Sequence, residues 1–175
     1  MEGHLSVTER EGFDGAAEYV RAARGGVGDA YRLAGYLLGD ATEAQDAVQD
    51  ALVKAWRSWP TLRDPEAFGP WFDRIVVNVC RDRLRRHRTV RMVELDAAGE
   101  VESSDVFGSM IEDDEVAAAV DRLSPDRRIV IALRYWQDLT LEQVADRLDL
   151  PLGTVKSRLH YALRSLRTEL EGKDR

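Results

Sequence analysis

An all-α fold of two small helical domains joined by a flexible acidic linker is what this 175-residue chain predicts, on three observations. Apolar residues recur at three- and four-residue spacing along most of its length, and no alternating β-branched run is long enough for a strand. The period breaks in one place, residues 94–115 (ELDAAGEVESSDVFGSMIEDDE), which carry 9 acidic and no basic side chains among Gly and Ser. The expected organisation is therefore a polar tail 1–12, a first domain 13–91, a linker 92–111 and a second domain 112–175.

The elements follow in order. Phe13, Ala16, Ala17, Tyr19, Val20 and Ala23 make one stripe and Tyr31, Leu33, Ala34, Leu37 and Leu38 another. Gly25-Gly26 and Gly39-Asp40 act as stops, so two short helices are expected there. A third begins after Asp40, its buried face made of Ala44, Ala47, Val48, Ala51, Leu52, Ala55 and Trp56, and stops at Pro60. Asp64-Pro65-Glu66 is a cap-plus-proline start for a helix toward His87, which Pro70 should kink or delay. After the linker, Val116, Ala119, Val120 and Leu123 mark a helix ending before Ser124-Pro125. That pair opens the next helix, with Ile129, Val130, Ala132, Leu133 and Trp136. Thr140-Leu141-Glu142-Gln143 is a capping box for a short helix, Leu150-Pro151-Leu152-Gly153 breaks it, and a last helix covers about 154–170. There is no internal repeat at a fixed period.

Charge narrows the function. The formal net charge is −7, which as an average should repel nucleic acid, yet it is a mosaic: residues 1–73 sum to −6, 74–93 to +6, 94–115 to −9 and 116–175 to +2. A lone Cys80 excludes an internal disulfide framework and multi-cysteine zinc sites, and His4, His87 and His160 are too dispersed for a local metal motif, so no cofactor or metal is expected. No apolar run is long enough to span a membrane and the acidic N-terminus lacks signal-peptide character, which points to the cytoplasm. Enzyme chemistry has no phosphate-cradling glycine loop to stand on, and Cys80 has no sequence-evident base beside it.

Three constellations remain. The segment LTLEQVADRLDLPLGTVKSRLHYALRSL has the register of a helix-turn-helix, with small Ala145 at the crossover, Asp149 at the turn, and Val155 and Leu159 inside. Its outward set, Thr154, Lys156, Ser157, Arg158, His160, Tyr161 and Arg164, suits base edges and phosphates in a major groove; an ordinary helical hairpin with a basic face is the bland alternative. In RIVVNVCRDRLRRHRTVR, residues 74–91, the side chains of Arg74, Asn78, Arg81, Asp82 and Arg85 share one helical face. Aromatic residues stand upstream: Trp56, Trp59, Phe68, Trp71 and Phe72. Cations with rings suit an opened strand, although Trp71 and Phe72 also fit a core. Finally, Glu43, Asp46, Gln49 and Asp50 form an anionic face better matched to a basic protein than to DNA.

Taken together, these residues resemble the extracytoplasmic-function (ECF) sigma factors of bacterial RNA polymerase. The segment YLLGDATEAQDAVQDALVKAWRSW is similar to the start of sigma region 2, EAFGPWFDRIVVNVCRDRLRR to its DNA-facing end, and LSPDRRIVIALRYWQDLTLEQVADRLDLPLGTVKSRLHYALRSLR to region 4. The resemblance implies that Glu43, Asp46, Gln49 and Asp50 dock on the clamp helices of the polymerase largest subunit, with the flap as a second contact. It also implies that the Trp59–Phe68 loop, including Arg63 and Asp64, and Asn78 hold a flipped base of the −10 element, that Arg74, Arg81 and Arg85 hold phosphates, and that helix 154–170 reads the −35 element. Partners would then be core polymerase, promoter DNA and an anti-sigma factor. The rivals are a helix-turn-helix regulator that is no polymerase subunit, and an acidic interaction adaptor.

Overall fold

The computed structural model describes the backbone of residues 7–94 and 114–173, and the side chains of 15–87 and 115–172. Among the described residues there are helices and no strand, and no helix is long and apolar enough to cross a membrane. The helices are α1 (Val7–Leu38), α2 (Ala41–Ser58), α3 (Phe68–Glu94), α4 (Asp114–Asp121), α5 (Pro125–Ile131), α6 (Leu141–Leu148) and α7 (Leu152–Lys173). Helix α3 thus enters the segment assigned to the acidic linker, whose remainder, with residues 1–6 of the N-terminal tail, lies outside the described residues.

The first half is three long helices. The two short helices expected before Asp40 are one, because α1 runs through Gly25, Gly26 and Gly28 without interruption. Each glycine disfavours a helix interior by about 1 kcal/mol, and burial of Tyr19, Ala23, Ala30, Leu33, Ala34 and Leu37 along the same face outweighs that local preference. The stop comes at Gly39, whose φ of +73° is the left-handed conformation that ends helices. Asp40 then caps α2, its Oδ1 accepting the Glu43 N–H at 2.8 Å. Pro60 sits in a 3-10 turn, Trp59–Thr61, and a second 3-10 turn, Pro65–Ala67, is capped by Asp64. The α-helix proper starts at Phe68, after that turn, and Pro70 lies in its first turn, where a backbone N–H has no intrahelical partner to lose.

In the second half α5 passes into a π-helical turn, Ala132–Trp136. The capping box is present in both directions: the Thr140 N–H donates to Gln143 Oε1 at 2.8 Å and the Gln143 N–H to Thr140 Oγ1 at 3.2 Å. Asp149 takes the left-handed turn at φ 53°, and Pro151 ends the break rather than prolonging it, its carbonyl accepting the Thr154 N–H at 2.8 Å. Helix α7 therefore starts at Leu152, earlier than its apolar stripe suggested.

The halves are not held apart. One hydrophobic core continues from Leu33, Leu37, Phe72 and Val76 of the first into Ile129, Val130, Leu133, Val144 and Val155 of the second. Helix α3 packs on α5 and α6, and Tyr36 lies against Trp136 with ring centroids 4.4 Å apart. Buried Arg128, 6% exposed, crosses the seam: it donates to the Leu37 carbonyl at 2.8 Å, near the end of α1 where carbonyls lack intrahelical donors, and pairs with Asp121 at 2.7 Å. Cys80 is fully buried in α3, and burial pushes its thiol up to about 12 against the opposing pull of Arg83. Native protein at pH 8 is therefore expected to leave Cys80 unmodified by a disulfide reagent, with full reaction on unfolding; fast labelling of native protein would contradict it.

Candidate nucleic-acid and docking surfaces

Helix α3 rises about 40 Å, and Arg74, Asn78, Arg81 and Arg85, four, three and four residues apart, stand in one row along it. This row faces the second half. The Arg74 guanidinium donates to the Asp146 carbonyl, and the adjacent residue on each helix forms a second contact, Asp73 with Arg147. Burial raises the Asp73 carboxyl despite Arg147. Further along, the Asp126 carboxylate receives Arg81 Nε on Oδ1 at 3.4 Å, and Arg85 Nη2 and Arg158 Nη2 on Oδ2 at 3.4 and 3.6 Å. Burial lowers the Arg81 guanidinium, Asp126 opposes that, and neighbouring Arg85 and Arg158 reinforce it. Arg81 Nε is buried and lacks a well-formed hydrogen bond. Asn78 is exposed in the middle of the row.

The loop before α3 divides in two. Arg63 and Asp64 are exposed at its tip, and the Asp64 carboxylate accepts the Glu66 N–H. Trp59 and Trp71 are half-buried, each with its ring against Phe68, at 6.0 and 5.8 Å between centroids. Phe68 departs from the expectation: it is 4% exposed and stacked on Phe72 at 5.1 Å, so its ring is taken up by the core and offers no face to a base.

On α7, Lys156, Ser157, His160, Tyr161 and Arg164 are exposed, while Val155 is fully buried beneath them. Arg127 lies 5.5 Å over the Tyr161 ring, and the Ser157 hydroxyl donates to the Thr154 carbonyl at 2.9 Å. Thr154 and Arg158 are half-buried, Arg158 turned toward Asp126 rather than outward.

The acidic face of α2 is contacted from α3. Asp50 pairs with Arg83 at 2.6 Å and Glu43 with His87 at 3.0 Å, leaving Asp46 and Gln49 exposed and unclamped by any pair among the described residues. Beside this face lies a feature that the periodicity concealed: a shallow cleft of about 390 Å³ between α1 and α2, lined by Val20, Ala23, Val27, Leu52, Val53 and Trp56. Trp56, placed in the core by its spacing, is 46% exposed, with Val53 at 50% and Val20 at 47%. Three large apolar side chains this exposed beside one another mark a surface for a protein rather than for DNA.

The family model for Sigma-70 region 2 matches residues 27–90, and that for Sigma-70 region 4 matches 119–168. The RNA polymerase sigma factor SigV of Bacillus subtilis is 34% identical over 83% of this chain and 87% of its own length. The ECF RNA polymerase sigma factor SigL of Mycobacterium tuberculosis is 34% identical over 81% of this chain and 82% of its own. Among solved structures, the sigma factor RpoE of Bartonella quintana, determined in complex with the anti-sigma factor NepR, is alike in fold at a TM-score of 0.65 and 22% identity, over 87% of this chain and 96% of that one.

Proposed function

This chain belongs to the ECF sigma factors of bacterial RNA polymerase, and on that premise we propose how its surfaces divide the work of directing the polymerase to promoters. Asp46 and Gln49, with the neighbouring Val53 and Trp56, dock on the polymerase clamp helices: apolar anchors beside an anionic rim fit a basic helical partner. The α3 row captures the opened non-template strand of the −10 element, with Arg74, Arg81 and Arg85 on phosphates and Asn78, with the Trp59–Asp64 loop, at an extruded base. Lys156, Ser157, His160, Tyr161 and Arg164 read the −35 element in the major groove, with Thr154 and Arg158 at its edge once the halves separate. The protein acts by binding, in the cytoplasm, and not by catalysis. An anti-sigma factor is a fitting further partner, and the flap a second polymerase contact.

The observation that carries this reading is the single row Arg74, Asn78, Arg81 and Arg85 in one chain with a helix-turn-helix whose first helix is capped at both ends. Two substitutions test its parts separately. Asn78→Ala is expected to leave polymerase binding intact and to weaken promoter opening by about 1–3 kcal/mol, read by permanganate footprinting; unchanged opening refutes the base-capture role. Val53→Asp is expected to weaken polymerase binding at least about tenfold, read by competition for core enzyme, with the helix content unchanged because the side chain is half-exposed. Undiminished binding of that variant would place the docking surface elsewhere.

A further inference from the structure

We propose that Asp126 is the catch of a closed, DNA-incompetent state, its carboxylate occupying the place of a nucleic-acid phosphate against arginines of both halves. The inference rests on the strand-binding reading of the α3 row. Three guanidinium groups converge on this one carboxylate: Arg81 and Arg85 from α3, and Arg158 from the helix-turn-helix. Two anionic oxygens at 3.4–3.6 Å from three arginines reproduce the charge arrangement that a phosphate would bring. The remaining arginine of the row, Arg74, is occupied at the same seam by the Asp146 carbonyl. Every phosphate ligand proposed for the −10 strand is thus engaged by the second half, and one proposed for the −35 duplex is turned inward.

The catch is suited to release. Asp126 keeps 30% of its side-chain surface in solvent and its contacts are longer than well-formed charge-assisted hydrogen bonds, so each pair is weak alone. A polyanion or a polymerase surface that separates the halves competes for the same arginines. Closure and strand binding are therefore mutually exclusive and linked, each weakening the other by the same factor.

The test uses the full chain with Asp126→Asn, an isosteric change at a partly exposed position in the first turn of α5. Two readouts are taken: the radius of gyration from small-angle scattering, and binding of a fluorescein-labelled mixed-sequence 20-nucleotide single-stranded DNA by anisotropy. The variant is expected to show a larger radius and about tenfold tighter strand binding, within the usual range of couplings between linked sites. Glu18→Gln, which removes the same charge from an exposed α1 position away from the α3 row, controls for net charge and is expected to change neither by as much. A radius equal to that of the unsubstituted protein overturns the proposal. So does a gain in binding matched by Glu18→Gln. An enlarged radius without tighter strand binding refutes instead the nucleic-acid role of Arg81 and Arg85, while the closed state held by Asp126 stands.

Discussion

Phe72→Ala is expected to lower the stability of the folded chain by about 3–5 kcal/mol, the cost of emptying a fully buried aromatic site. Phe72 stacks on Phe68 at 5.1 Å, and its ring edge lies 3.6 Å from where a Cβ on Gly26 would stand, so α1 and α3 both lose packing when it goes. Neighbouring side chains cannot collapse into the space without shifting long helices. Against a total stability of about 5–15 kcal/mol, the loss leaves a substantial unfolded fraction at physiological temperature. Urea denaturation followed by circular dichroism measures it: the midpoint falls steeply with little change in slope. A cost below about 1 kcal/mol would show that this ring is not a keystone of the first half.

Arg128→Ala is expected to cost about 3 kcal/mol and to spread its effect over both halves. The guanidinium is 6% exposed and holds two acceptors, the Leu37 carbonyl at the end of α1 and the Asp121 carboxylate of α4. Breaking a buried pair costs about 3–5 kcal/mol when the remaining charge stays buried, and Asp121, 45% exposed, recovers part of this in water, which sets the value at the low end. Arg128→Lys should restore little, since one ammonium cannot span two acceptors that the planar fork reaches together. Amide exchange gives the discriminating measurement. Faster exchange in the last turn of α1, remote in sequence from the substitution, is expected beside a lower unfolding midpoint; exchange confined to α4 and α5 would show that the Leu37 contact carries no weight.

Local chemistry was legible in the sequence, and contacts between distant segments were not. Asp40, Asp64 and the Thr140–Gln143 box cap helices as their residue types require, because a cap needs only three neighbours to form. The row along α3 was readable for the same reason: four residues and a helical period suffice. Gly25 and Gly26 misled because intrinsic propensity is about 1 kcal/mol per glycine and the buried face of α1 outweighs it. Phe68 and Trp56 exchanged places between core and surface, since apolar spacing cannot tell which side of a broad stripe the partner helix covers. Segregated charge marked out the two domains, but not the contacts by which Arg74, Arg81, Arg128 and Arg147 reach residues of the opposite half. Nothing in either half alone announces that match.

Helix α5 is only seven residues long, yet consecutive side chains at its start reach three different helices: Asp126 to α3, Arg127 to Tyr161 and Ser165 of α7, and Arg128 to α1. A rigid element with such divided attachments does not give way by degrees, because a displacement that frees one side chain misaligns the other two. Separation of the halves should accordingly populate two states with few intermediates. Response to a releasing partner would then be all-or-none in each molecule, and the partner concentration at which half the molecules open is raised by the closure free energy this short helix supplies.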